Sequence, residues 1–157
     1  MSTTTTPEIR LHVYREQPEI SRAMDALQRA VDAAGIDPAL ADLIRLRASQ
    51  INGCGYCIDM HAKDARRRGD TEQRIYGLTA WREAPYYTER ERAAFALTEA
   101  VTLIPGGVPD DVFEEASRHF EPSELAALIW AIALINAWNR VAIPSRDPIP
   151  GSYEPRG

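Results

Sequence analysis

From residue 18 to residue 143 apolar residues recur at spacings of three and four, and residues that start or stop a helix bound each run. "PEISRAMDALQRAVDAAG" (18–35) places Ile20, Met24, Leu27 and Val31 on one stripe, with Gly35 as its C-cap. "DPALADLIRLRASQI" (37–51) opens with Asp37 as N-cap and Pro38 at the first helical position. Its apolar positions 40, 43, 44, 46 and 51 describe a mostly buried helix, which Asn52 and Gly53 interrupt. A third helix starts near Cys54 and ends by Gly69, and residues 70–81 form a short one capped by Asp70 or Thr71. In "TERERAAFALTEAVTLI" (88–104) Thr88 caps and Glu91 completes a capping box. Helices over 109–120 and 121–143 follow, the last capped by Ser123. No Val/Ile/Thr-rich alternating run points to a sheet. The expected fold is all-α, a single-domain helical bundle spanning 1–157.

The ends differ from this pattern. Residues 1–7 are polar and expected to form a mobile arm. The segment 144–157 carries four prolines and is expected to be non-helical, either loose or wrapped over a neighbouring subunit, with Tyr153 as its large anchor. The longest apolar stretch, "LAALIWAIALI" (125–135), has 11 residues, short of the ~20 that span a bilayer. It is expected to be buried in the core or at a subunit interface, so a homo-oligomer is expected and a membrane partner is not. A net charge of -5 argues against nucleic acid, whose phosphates need a basic excess. The one dense basic run, "ARRRG" (65–69), falls at a helix end, where cations complement the dipole. "MSTTTTPEIR" lacks the apolar core of a signal peptide, so a cytoplasmic location is the expectation.

The chemistry-bearing stretch is "NGCGYCIDMHAKDARRRG" (52–69), which holds both cysteines of the chain. Structural zinc needs four ligands. Cys54, Cys57 and His61 supply three, and His12 and His119 show no partner spacing, so no metal is expected. Inert buried cysteines account for either thiol alone, but not for the pair together with His61. Redox thiol chemistry accounts for all three. On a helix Cys57 and His61 are i and i+4, Cys54 lies nearly two turns from His61, and both thiols fall in the first turn. A free thiol of pKa ~8.5 is only a few per cent ionised at neutral pH. The helix dipole contributes ~0.3–1 kcal/mol, whereas an imidazolium about 4 Å away contributes ~4 kcal/mol before desolvation. His61 is therefore the expected activator of Cys57. Gly53 and Gly55 leave Cys54 little local cover. A thioredoxin-like fold places its CxxC after a strand, and here a helix precedes it.

"DLIRLRASQINGCGYCIDMHAKDARRRG" (42–69) resembles the active-site segment of the alkyl hydroperoxidase D-like branch of the carboxymuconolactone decarboxylase-like proteins. Its pattern is an acid, eleven residues, CxxC, three residues and His, met by Asp42, Cys54, Cys57 and His61. "NAWNR" (136–140) and "PGSYEP" (150–155) resemble the family's C-terminal end. The resemblance implies a helical bundle with CxxC at the N-terminus of a central helix, and assembly as a trimer or hexamer. It implies that Cys57 attacks the O–O bond of a small hydroperoxide, Cys54 resolves the sulfenic acid to a disulfide, His61 is the base and Asp42 orients it. The reductant it implies is a dithiol, a lipoyl carrier protein or a thioredoxin-type protein, with no cofactor.

Two positions depart from the family pattern. Asp42 stands where Glu is usual, one methylene shorter, so either a water bridges it to His61 or the relay is weaker; the plainer alternative pairs it with Arg45 on the surface. Tyr56 stands where the best-known peroxidase of the family has His, and a phenol of pKa ~10 packs or contacts substrate rather than acting as a base. Trp130 and Trp138 read as core or interface residues. The alternatives to a peroxidase are a redox sensor or disulfide carrier, and decarboxylase-type acid–base chemistry that would need no cysteine pair.

Overall fold

The structure, a computed structural model, describes residues 7–155. All but Pro7 of the expected N-terminal arm, and the last two residues of the tail, lie outside them. Among the described residues there are eight α-helices, one 3-10 turn and no strand. They are α1 (Val13–Glu16), α2 (Pro18–Asp32), α3 (Pro38–Asn52), α4 (Gly55–Arg67), α5 (Glu72–Gly77) with the 3-10 turn Leu78–Ala80, α6 (Glu89–Thr102), α7 (Asp110–His119) and α8 (Pro122–Ser145). The all-α expectation holds, and the CxxC stands at the mouth of α4.

Helix α3 is the axis of the bundle, packed against α4, α6 and α8. Leu43, Ile44 and Leu46 of α3 meet Phe95 and Leu97 of α6 and Leu128 and Ile132 of α8 in a fully buried core. Phe95 also takes Trp81 and Tyr87 edge-on, with ring centroids 5.8 and 5.3 Å away. Each such side chain contributes about 1.5–3 kcal/mol through burial. Helix α2 fits the pattern less well. Of its apolar stripe Val31 is buried, while Ile20 is 62% exposed and Leu27 38%.

The caps at Asp37, Thr71 and Thr88 form as their sequence contexts require. Helix α8 does not start as expected. Glu121, not Ser123, is its N-cap, in a capping box with Glu124, because Pro122 takes the first helical position and moves the cap one residue before it. The helix also runs two residues past the expected end, through Pro144 to Ser145. A proline in the last turn disturbs only the turn before it, and Arg146 then leaves the helix in the left-handed conformation. At 24 residues α8 is long and apolar enough to span a bilayer, which the 11-residue count concealed. Half of that apolar stretch is buried inside the bundle, as suits the core helix of a globular protein. The expectation of full burial fails on one face, where Trp130 is 59% exposed.

The tail is not loose. Beyond Ser145 it folds back over its own α4, where the Tyr153 hydroxyl donates to Asp64 Oδ1 at 2.8 Å and Lys63 Nζ donates to the Tyr153 carbonyl at 2.8 Å.

Candidate functional site

Gly53, at φ 71°, ends α3 in the left-handed conformation and turns the chain directly into α4. The Cys54 N–H reaches back to the Ser49 carbonyl at 3.0 Å, which fixes the corner. Cys54 is thus the N-cap of α4 and Cys57 its third residue. Both are free thiols and both are buried. The open Cys54 expected from its flanking glycines does not occur. The tail covers it, and Pro148 and Pro150 line the same small cavity. Gly55 permits this, because a Cβ there would stand 3.2 Å from the Pro150 ring.

The two thiols lie close enough to shift each other's ionisation, and Cys54 is the more acidic of the pair. Its pKa is lowered to about 7, first by the Cys57 thiol and then, against burial, by the Cys57 and Tyr56 backbone and the Asn139 side chain. No cap hydrogen bond closes on the Cys54 sulfur, so the backbone acts here by orienting its N–H groups toward a developing anion. Cys57 moves the opposite way, pushed up by Cys54 beside it and by burial. Taking the second proton from the pair is costly, as in any two coupled acids.

His61, 5% exposed, does not hydrogen-bond to Cys57, as neither ring nitrogen has a partner. Burial, aided by Arg45, lowers its pKa to about 3. The imidazolium expected to activate Cys57 is therefore not the resting state, because this pocket removes the water that would solvate its charge. His61 is a neutral ring between two cavities. One, about 550 Å3, also holds Cys57, Tyr14, Tyr56, Ile135 and Trp138. The other, about 390 Å3, holds Asp42, Asp64, Arg45 and Arg68.

Asp42 is buried, and its partner is Arg68, whose Nε donates to Oδ2 at 2.6 Å. Arg45 pairs instead with Asp32 at 2.5 Å. This replaces the expected Asp42–Arg45 surface pair, because Asp42 points inward and Arg68, just past the end of α4, reaches over it. The basic run is therefore more than a solvated helix end. Burial raises the Asp42 pKa and the Arg68 contact opposes that rise. Asp42, His61 and Asp64 each bring one potential ligand atom within 4.8 Å of the others. Arg45 and Arg68 line the same cavity, and Arg68 and Tyr153 already engage the two carboxylates. The charge balance there suits a proton better than a metal cation.

Tyr56 lines the Cys57 cavity and packs edge-on against Tyr153, with ring centroids 6.3 Å apart. Trp138 forms the opposite wall, with its indole N–H donating to Gln28 at 3.0 Å. Three groups escaped sequence reasoning. Tyr14 arrives from α1, a single turn with no periodic signal, and burial raises its phenol to about 12. Asp64 lies inside the quoted motif, one turn past His61, but nothing there marks it as part of the site. Asn139 is fully buried, donates to Ser49 Oγ at 3.1 Å and accepts from Asn52 at 2.8 Å. Its signal was the polar pair Asn136 and Asn139 inside the most apolar helix.

The family profile described as the carboxymuconolactone decarboxylase family matches residues 18–100, which hold Asp42, the two cysteines and His61. The chain belongs to the carboxymuconolactone decarboxylase family. A member from Bacillus subtilis, the uncharacterized protein YdfG, is 41% identical over 135 residues, 85% of this chain and 92% of its own. The crystal structure of Agrobacterium tumefaciens ATU0492, a protein of unknown function named for AhpD-type antioxidant defence, is 41% identical with a TM-score of 0.86. It covers 96% of this chain and 100% of its own. The debrominase Bmp8, in complex with 2,3,4-tribromopyrrole, shares the fold at 21% identity and a TM-score of 0.74, over 87% of this chain and 73% of its own. The chain is thus an AhpD-like member of the family, on a scaffold that also carries other chemistry.

Proposed function

We propose that this carboxymuconolactone decarboxylase family member is a thiol-dependent peroxidase for small hydroperoxides. The observation that carries this reading is a pair of buried free thiols at the mouth of α4, one of which, Cys57, lines a cavity together with His61. Cys57 meets the substrate because it lines that cavity, and Cys54 is the more acidic thiol. Moving the Cys57 proton to the Cys54 thiolate makes Cys57 the nucleophile with no net ionisation.

The Cys57 thiolate attacks the distal oxygen of ROOH. The O–O bond breaks, the sulfur becomes a sulfenic acid, and RO⁻ takes a proton from the site to leave as ROH. Cys54, as thiolate, then attacks the Cys57 sulfur and expels hydroxide, which leaves as water after protonation. The sum is two thiols plus ROOH giving a disulfide, ROH and H2O. A small dithiol, free or carried as a lipoyl or thioredoxin-type group, returns the disulfide to two thiols. His61 holds protons between these steps, with Asp42 among the carboxylates that line its second cavity.

The outward face of α8, with Trp130, Ala126 and Ala133 exposed, supports a homo-oligomer on the trimer or hexamer plan. The same reading places the protein in the reducing cytoplasm.

The test is to react the fully reduced protein with one equivalent of tert-butyl hydroperoxide and count thiols. Both should be lost to an intramolecular disulfide, and Cys57→Ser should abolish the loss. Two surviving thiols in folded protein would end the peroxidase reading. Oxidation without sustained consumption when dihydrolipoamide is supplied would favour a disulfide carrier.

A further inference from the structure

We propose that Asp64, held by the Tyr153 hydroxyl of the C-terminal tail, is the carboxylate that supports a proton on His61 during turnover. This rests on the peroxidase reading for its purpose, but not for its test.

The need for such a group follows from the ring itself. His61 is 95% buried by its 5% exposure, and neither nitrogen has a partner. A polar group left that way is costly, and a ring that takes up a proton there needs an anion nearby. Three carboxylates line its second cavity. Asp32, from α2, is committed to Arg45 at 2.5 Å. Asp42, from α3, is committed to Arg68 at 2.6 Å. A carboxylate already paired with a guanidinium has its charge compensated and is a weak acceptor for a second cation.

Asp64 differs. It stands one helical turn after His61, so both lie on one face of α4. Its hydrogen bond comes from a neutral phenol, Tyr153 Oη at 2.8 Å, which fixes the carboxylate without cancelling its charge. Its oxygen lies within 4.8 Å of both a His61 nitrogen and an Asp42 oxygen, a span that one water bridges. The ring also borders the larger cavity with Cys57 and Tyr14, where Asp25, Asp32, Arg45 and Asp64 are lining residues too. A proton taken up from the Cys57 cavity can therefore be stabilised by Asp64, which lines both cavities, against the repulsion of Arg45.

The tail becomes part of the site through this arrangement. Tyr153 is set by Lys63, which grips its carbonyl at 2.8 Å, and by its edge contact with Tyr56. The segment that shields Cys54 therefore also orders the acid behind His61. Asp64 acts on the sulfur through His61; it is a positioning residue.

The test compares Asp64→Asn, Asp64→Glu, Tyr153→Phe and wild type. The readouts are the pH profile of thiol alkylation by iodoacetamide, single-turnover oxidation by tert-butyl hydroperoxide, and thermal midpoint. Asp64→Asn should slow oxidation at least about tenfold, short of the ~100-fold that loss of a direct acid–base group costs. It should also displace the pH profile, with both thiols still oxidisable. Asp64→Glu should recover most of the rate, and Tyr153→Phe should fall between. Asp64→Asn within twofold of wild type in rate and in pH profile would overturn the proposal, with the peroxidase reading intact. If wild type resists the hydroperoxide, that reading fails instead, and the alkylation profile alone decides the role of Asp64. A lowered thermal midpoint in Asp64→Asn that Asp64→Glu fails to rescue would reduce Asp64 to a structural contact.

Discussion

Asn52, the last residue of α3, donates from Nδ2 to Asn139 Oδ1 of α8 at 2.8 Å. This bond joins the helix before the dithiol to the helix behind it, and Asn139 turns its own amide to Ser49 at 3.1 Å. Because Asn139 also lowers the pKa of Cys54, its truncation has two consequences. Asn139→Ala should cost about 1–3 kcal/mol by leaving buried groups unpaired, and alkylation of Cys54 at pH 7 should slow severalfold. Denaturant melts and iodoacetamide rates check the two separately.

Cys54 is the more acidic thiol of the pair, so that sulfur is the one an electrophile at pH 7 should find ionised. Limited alkylation of reduced protein followed by peptide mass mapping should label Cys54 ahead of Cys57. Cys57→Ala removes the thiol that does most to lower the Cys54 pKa, so the alkylation midpoint should rise from about 7 toward the ordinary thiol value. Faster labelling of Cys57 would reverse the charge assignment.

His61 titrates at about 3 in the folded protein, against ~6.5 for an unfolded histidine. Between these values the unfolded chain binds one more proton, so this residue contributes stability that is complete above about pH 6.5 and is lost as the pH falls toward 3. The slope is about 1.4 kcal/mol per pH unit. Asp42, with its raised pKa, acts in the opposite sense, since its contribution is lost as pH rises. Urea melts from pH 7 to 4 should be distinctly less acid-sensitive for His61→Leu than for wild type.

The tail shields Cys54 with Pro148 and Pro150. Removing the chain after Ile149 should accelerate reaction with a bulky aromatic disulfide reagent by about tenfold, while small iodoacetamide gains less, since exposure governs thiol reactivity along with ionisation. Stopped-flow thiol assays with the two reagents would show the difference.

Trp130 is 59% exposed on the face of α8 turned away from the bundle. Light scattering should give a mass that is a multiple of 17.5 kDa, and Trp130→Glu should lower it without changing the helical content. A monomeric wild type at micromolar concentration would remove the assembly proposal.

Much of the fold was legible because helices announce themselves locally. The Asp37–Pro38 start, the Thr88–Glu91 box and the Gly53 stop act on backbone groups within a turn, so their residues suffice to place them. The cap of α8 was misplaced where Ser123 and Glu121 competed and Pro122 decided, and α1 was invisible because one turn has no period. In the site, the grouping of Cys54, Cys57 and His61 was legible from spacing, since helix geometry puts positions four and seven apart on one face, while Asp42 came only from the resemblance to the family pattern.

By itself, then, the sequence determined that this chain is a helical bundle with two thiols and a histidine at the mouth of one helix. Tertiary structure alone decided their states. The side chains that tune Cys54 and pair with Asp42 come partly from α8 and the end of α4, distant along the chain from the residues they act on, and the neutrality of His61 comes from its burial. Desolvation and charge pairing depend on distance in space, and no local pattern of residues encodes that.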